Sequence, residues 1–328
     1  MDQNVPFQAI LDALLDDDQP FPARYLHRFS DLPPLELNSM KKIWPKVSSR
    51  RKHTLLEDLE DLAETDTLTS FDDMARSLLT DADPEVRTRA IHLLWESEDV
   101  KLIPVYLKML IEDEDTGTRA AAANALGQFI YLGELDKYPA ETKKQIEDQL
   151  LATTTTAKET LVRRRALESL GYSGRKEVIQ LIETAYHQKD PDWLASALFA
   201  MGRSCDDRWK KQVLSQLHAP SEDVRSEAIH AAGELELSSA RPALLDLLAD
   251  EEDLEVRREL IWALSKIGGE GVRNRLEELL EMEEDDEEAD FIEESLDALN
   301  FTEEMGPFNL LDINPDGDFI EEEPDNKE

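Results

Sequence analysis

Six histidines, one cysteine and an acid-rich C-terminal stretch hold most of the residues in this 328-residue chain that could do chemistry. His27, His53, His92, His187, His218 and His230 form no His-Glu-x-x-His and no close pair, the spacing that sets two imidazoles on one helix face around zinc. Cys205 stands alone, which excludes an internal disulfide and any multi-cysteine metal site. Its neighbours Asp206 and Asp207 are a poor setting for a thiolate nucleophile. There is no glycine-rich phosphate loop and no Gly-x-Ser-x-Gly. One segment matches a metal motif. Asp312, Asn314, Asp316, Asp318 and Glu323, with Gly317 at the sharp turn, follow the spacing of an EF-hand calcium loop. Pro324 follows the last ligand, so no exiting helix completes the hand, and calcium affinity is expected at about 10⁻⁴ to 10⁻³ M at best. The expectation is a protein without a cofactor, with weak calcium binding in this loop as the exception to test.

Charge narrows the partners. The formal net charge is −38. A nucleic-acid backbone or an anionic membrane surface would be repelled by it. Residues 281–328 contain 21 acids and one lysine, a net −20, so the body of the chain carries −18. No apolar run approaches the ~20 residues of a membrane-spanning helix. The first 15 residues carry Asp2 and Asp12 and no Lys or Arg, unlike a signal peptide. The expected location is the cytoplasm.

The elements that must position any site are read from a repeat. Asp83-Pro-Glu-Val-Arg87-Thr-Arg-Ala90-Ile-His-Leu-Leu94 aligns with Ser221-Glu-Asp-Val-Arg225-Ser-Glu-Ala228-Ile-His-Ala-Ala-Gly233. Related segments surround Arg119, Arg163, Leu194 and Arg257, at steps of 32, 44, 31, 31 and 32 residues. A period of this size marks a stacked repeat. Each unit reads as two helices. Asp83, Asp190 or Ser221 stands at the N-cap of the second, and Pro84 and Pro191 take the first helical position, where a missing N–H costs nothing. Apolar residues three, four and seven after the anchor form one stripe. Eight after it lie Gly127, Gly171, Gly202 and Gly233, either ending the helix in a left-handed cap or letting the next unit approach closely.

These segments, Asp83-Pro-x-Val-Arg87-x-x-Ala90, Arg119 to Gly127, Val162-Arg163-x-x-Ala166 to Gly171 and Val224-Arg225-x-x-Ala228, resemble the HEAT and HEAT-like repeats, including the phycobilisome-lyase type. The resemblance implies an all-α, right-handed α-α superhelical solenoid of about seven to eight helix pairs. The expected domains are a helical N-terminal cap at 1–46, the solenoid at 47–300 and an acidic, disordered tail at 301–328. The HEAT-like deoxyhypusine hydroxylases use His-Glu dipeptides, and this chain has none: the matching positions read Ser226-Glu227 and Arg164-Arg165. HEAT-like DNA glycosylases need a basic groove that this charge does not supply.

The recurrent Arg87, Arg119, Arg163, Arg225 and Arg257 are expected to be structural, a ladder pairing with acids in neighbouring turns such as Asp83, Asp115 or Asp253. The 44-residue step inserts about a dozen residues around Tyr131, Leu135 and Tyr138, a possible interaction loop. Basic clusters at residues 41–52, 163–165 and 208–211 stand out in so acidic a chain. His92 and His230 share a register, five after the anchor, but lie four units apart and cannot meet on one ion. The expected function is a non-catalytic, monomeric scaffold or adaptor that binds a partner protein of basic or mixed charge along the solenoid face, without nucleic acid or membrane. The alternatives are a lyase-type or metal-dependent enzyme with a site assembled from several repeats, or a calcium-responsive tail on the scaffold.

Overall fold

The computed structural model describes residues 5–305, all of them helix, turn or coil with no strand. By packing they divide into two compact units, one ending at Gln188 and the other beginning at Lys189.

The first unit opens with α1 (Phe7–Leu15), a 3-10 segment (Ala23–Phe29), α2 (Pro34–Ile43) and a 3-10 turn (Trp44–Lys46). Pro20, Pro22 and Pro33 lie between these short pieces, Pro34 takes the first position of α2, and Pro45 sits inside the 3-10 turn. Then come α3 (Ser49–Thr65), α4 (Asp72–Leu78), α5 (Pro84–His92), α6 (Leu102–Glu112), α7 (Thr116–Glu134), α8 (Ala140–Thr156), α9 (Thr160–Leu170) and α10 (Lys176–Tyr186). The second unit holds α11 (Pro191–Arg203), a 3-10 turn (Asp207–Trp209), α12 (Lys210–Leu214), α13 (Glu222–Glu234), α14 (Arg241–Asp250), α15 (Leu254–Ile267), α16 (Val272–Met282) and α17 (Asp286–Met305). The odd-numbered helices from α3 to α17 are the second helices of the repeat, eight among the described residues. None of the helices is long and apolar enough to cross a membrane. The last continues to Met305, into the stretch from 301 onward that was expected as tail.

Local chemistry explains the helix starts. Asp83, Asp115, Asp190 and Asp253 sit at N-caps and accept hydrogen bonds from the backbone N–H of Glu85, Thr118, Asp192 and Val256. Each such cap contributes about 1 kcal/mol. Ser221 holds the same position with extended backbone but makes no side-chain bond there.

Second helices pack on one another within each unit: α3, α5, α7 and α9 in the first, α11, α13, α15 and α17 in the second. Their buried stripe is the repeat's own pattern. Val86, Ala90 and Leu94 recur as Val162, Ala166 and Leu170, as Val224, Ala228 and Ala232, and as Val256, Leu260 and Leu264. Truncating a buried leucine to alanine in such a stripe costs about 2–5 kcal/mol.

The recurrent glycine serves close approach. A Cβ on Gly127 in α7 would stand 3.1 Å from the Ser169 Cα in α9, and Ser169 Oγ donates to the Ala123 carbonyl at 2.8 Å. On Gly233 in α13 a Cβ would stand 2.9 Å from the Ala263 Cα and 2.6 Å from the Trp262 ring. The left-handed glycines are others, Gly268, Gly269 and Gly271, between α15 and α16.

The 44-residue step is absorbed mostly as helix. The two helices that flank it, α7 and α8, are 19 and 17 residues long, so the extra residues become added turns joined by a short connection at 135–139.

Candidate functional site

The recurrent arginines stitch turns together. Arg87 lies on α5. Its Nε and Nη2 donate to the two oxygens of Asp113 at 2.8 and 2.6 Å, and its Nη1 donates to the Asp81 carbonyl at 2.8 Å. Asp113 ends the next first helix, α6, and its oxygen also accepts the N–H of the cap residue Asp115 at 3.0 Å. Burial alone would raise the Asp113 carboxyl, but the Arg87 bonds, the Asp115 N–H and the charges of Arg87 and Arg119 outweigh it and hold it below the usual range.

The same device recurs with variations. Arg257 on α15 reaches Glu283, again 26 residues on, at 2.8 Å. Arg119 donates to the Asp113 carbonyl at 2.7 Å and pairs with Glu159 at 2.9 Å. Arg225 donates to the Ala219 carbonyl at 3.1 Å. Arg163, after the longer α8, donates to the Thr154 carbonyl at 2.8 Å. The acids reached differ from those expected. Asp83, Asp115 and Asp253 each spend a carboxylate oxygen on a helix N–H, with Asp83's other oxygen 2.8 Å from His53 Nε2 of α3, and the acid two residues before the cap, Asp113 or Glu283, faces the arginine of the preceding repeat.

Several members of the basic clusters are spent on structure as well. Arg51 and Lys52 are buried. Arg51 donates to the carbonyls of Asp16 and Gln19, and Lys52 pairs with Asp81 at 3.2 Å. Arg165 pairs with Glu168 at 2.6 Å and Arg208 with Asp206 at 2.5 Å.

A different feature stands on the second helices of the second unit. Phe199, His230 and Trp262 take the same register on α11, α13 and α15, five after each anchor, and all three are half-buried. The rings stack. Phe199 and His230 are 6.0 Å apart and 9° from parallel; His230 and Trp262 are 4.6 Å apart and 7° from parallel. The Arg203 guanidinium lies 4.1 Å from the centre of the Phe199 ring, and the Lys266 ammonium 5.9 Å from that of Trp262. The imidazole has acid on several sides. Its Nδ1 is 2.8 Å from Glu259 and its Nε2 3.9 Å from Glu234. Burial pushes the His230 imidazolium down, but the Glu259 bond and the charges of Glu259, Glu234 and Glu227 win, and its pKa is raised. A cation held between two rings is favoured further by their negative faces.

Beside this row, His230, Glu255, Arg258, Glu259, Trp262 and Phe291 line an open groove of about 350 Å³. Arg258 is bound to Glu287 and Glu288. In the first unit, Trp95 occupies the register where four other repeats carry glycine. It lies beyond the end of α5, is 57% exposed, and borders a hollow with His92, Leu93, Glu60, Ala63 and Glu64.

The sequence-selected residues fall as follows. Tyr131 and Leu135 are exposed at the end of α7, with Tyr131 5.4 Å from the Tyr172 ring. Tyr138 turns inward instead, and its hydroxyl donates to the Phe129 carbonyl. Burial, then the charges of Glu147 and Glu134, push its pKa up to about 12. Asp312, Asn314, Asp316, Asp318 and Glu323 lie outside the described residues. Among the described residues no three His, Cys, Asp or Glu side chains are placed to hold a metal ion. Cys205 is exposed, in a left-handed turn after α11.

The ring row escaped the sequence reading, although its signal was present. Three consecutive repeats carry a ring five after the anchor, but phenylalanine, histidine and tryptophan look unrelated until they stack. The shared register of His92 and His230 drew the comparison to a distant repeat, whereas His230 stacks on its immediate neighbours Phe199 and Trp262.

The family model of HEAT repeats matches residues 73–140 and 210–297, just under half of the chain. No curated protein matches it in sequence. Among solved structures, human deoxyhypusine hydroxylase in complex with glycerol is similar at 20% identity and a TM-score of 0.35, over 80% of this chain and 95% of that one. YibA of E. coli is similar at 17% identity and a TM-score of 0.43, over 87% and 98%. Kap121p bound to Nup53p is similar at 16% identity and a TM-score of 0.45, over 93% of this chain and 39% of that one.

Proposed function

We propose that this chain, whose residues 73–140 and 210–297 are HEAT repeats, is a non-catalytic docking scaffold that holds a partner protein against the second helices of its second unit. The observation that carries this reading is the row Phe199–His230–Trp262, bracketed by Arg203 and Lys266. Rings and arginines are the side chains that concentrate binding energy at protein interfaces. Here they are half-exposed yet already ordered by stacking, so a partner covering them loses little side-chain freedom. The apolar area they still show to water is worth roughly 25 cal/mol per Å² once covered.

The partner's charge follows from the chain's own. A chain of net −38 attracts a basic or mixed-charge protein, speeds the encounter and makes it salt-sensitive. It disfavours nucleic acid and anionic lipid for the same reason. The reading is tested by affinity purification from the source cells with the intact chain and with Phe199→Ser/Trp262→Ser, both checked for matched helicity. A stoichiometric protein partner kept by the first and lost by the second supports the scaffold. A tightly bound metal or cofactor with no protein partner contradicts it.

A further inference from the structure

The groove beside Trp262 has a chemistry more specific than a general docking face. Two of its walls are rings, Trp262 on α15 and Phe291 on α17. Two more are carboxylates, Glu255 and Glu259, also on α15. Glu259 places one oxygen, Oε1, against His230, and its other oxygen has no partner among the described residues. Glu255 has none on either oxygen there and is exposed. The two positive groups in the lining are both answered: Arg258 gives its Nε and Nη2 to Glu288 and Glu287 on α17, and His230 faces Glu259 Oε1.

An open groove with aromatic walls and uncommitted carboxylates matches a cation with a flat, apolar face. We propose that it receives an arginine side chain of the docked partner. The guanidinium would rest against the Trp262 and Phe291 rings and donate to Glu255 and the free oxygen of Glu259. Arginine fits better than lysine for two reasons. Its planar fork can meet two carboxylate oxygens at once, and it gives up its hydration more readily than an ammonium when laid on a ring. The protein already makes this contact internally: Arg203 lies over Phe199 at 4.1 Å, and Arg258 5.7 Å from the centre of the Phe291 ring. Charge also rules out the chain's own C-terminal stretch as occupant, because residues 306–328 hold one lysine, no arginine and eight acids.

The inference rests on the scaffold reading, and its test uses a probe that needs no natural partner. Nitrogen-15 tryptophan labelling of the full chain gives five indole signals, one per tryptophan, and Trp262→Phe assigns the one of interest. The probe is a Gly-Ser-Arg-Ser-Gly peptide with capped ends, compared with the same peptide carrying lysine, citrulline or phenylalanine at its centre. The arginine peptide should move the Trp262 signal saturably, with at least fivefold tighter binding than the lysine peptide and no saturation by citrulline or phenylalanine. Glu255→Gln, which leaves both rings in place, should weaken it about three- to tenfold. Equal binding of the citrulline or phenylalanine peptide, or an unchanged affinity in Glu255→Gln, overturns the proposal. So does a lysine peptide that binds as well as arginine. Loss of the natural partner in Phe199→Ser/Trp262→Ser with no arginine binding in this assay would leave the scaffold reading standing and the arginine groove rejected.

Discussion

Arg87 grips both carboxylate oxygens of Asp113, 26 residues further along, at 2.8 and 2.6 Å, while its third nitrogen holds the Asp81 carbonyl of its own turn. One side chain thus ties the end of one helix hairpin to the end of the next. Both partners are mostly shielded from water, with side-chain exposures of 14% and 10%. The pair therefore escapes the screening that makes surface ion pairs nearly worthless.

Replacing Arg87 by lysine keeps the charge and loses the fork. The chain should lose about 1.5–3 kcal/mol, the range for hydrogen bonds to charged groups. Arg225→Lys, which gives up one bond to the Ala219 carbonyl, should lose about 1 kcal/mol. Urea unfolding followed by circular dichroism measures the difference. Equal midpoints for the two variants would contradict the ladder.

The close approach at Gly233 gives a prediction of opposite sign to helix propensity. In an ordinary helix interior, alanine is better than glycine by about 1 kcal/mol. In α13 a Cβ would meet the Trp262 ring and the Ala263 backbone, so Gly233→Ala should destabilise by about 1–3 kcal/mol. Gly174→Ala, where nothing lies within 4 Å, should be neutral or slightly stabilising. Thermal melts of the two variants against the parent decide it.

The pH dependence follows from His230. Its folded pKa is raised above the unfolded value near 6.5. The stability it contributes is therefore fully present below about pH 6.5 and is lost as pH rises through the folded value. Melting temperature should fall over that interval, and His230→Gln should flatten this part of the profile. A His230→Gln profile that falls as steeply as the parent's would contradict the assignment.

Tyr138 and Tyr131 separate a buried role from an exposed one. Tyr138→Phe removes the hydroxyl bound to the Phe129 carbonyl and should cost about 1 kcal/mol. Tyr131→Ser, on the exposed side of α7, should stay within about 0.5 kcal/mol. Spectrophotometric titration should also show one tyrosine ionising at about 12, absent from Tyr138→Phe.

The helix pairs were legible in the sequence because the features that make them are local and repeated. Asp83 before Pro84 states a helix start, and Val86, Ala90 and Leu94 state its buried face. The insertion was legible only as a length. Whether extra residues form a loop or longer helices depends on what they pack against, and Tyr138 folding onto Phe129 is a tertiary fact. The acid that answers Arg87 was hidden by a more obvious one two residues later, since Asp115 looks like the partner until its carboxylate is seen capping α7. The ring row is the clearest case. Each of its members is unremarkable within its own helix, and only the stacking of three repeats brings Phe199, His230 and Trp262 face to face.

The central claim is that this row is where a partner docks. The most direct measurement is the quantitative mass-spectrometric recovery of co-purifying proteins with the intact chain, with Phe199→Ser/Trp262→Ser and with Trp95→Ser, all at matched helicity and in low salt. The account predicts one stoichiometric partner that survives Trp95→Ser, falls at least tenfold with the double variant and dissociates as salt is raised. Recovery of that partner unchanged by Phe199→Ser/Trp262→Ser would contradict it.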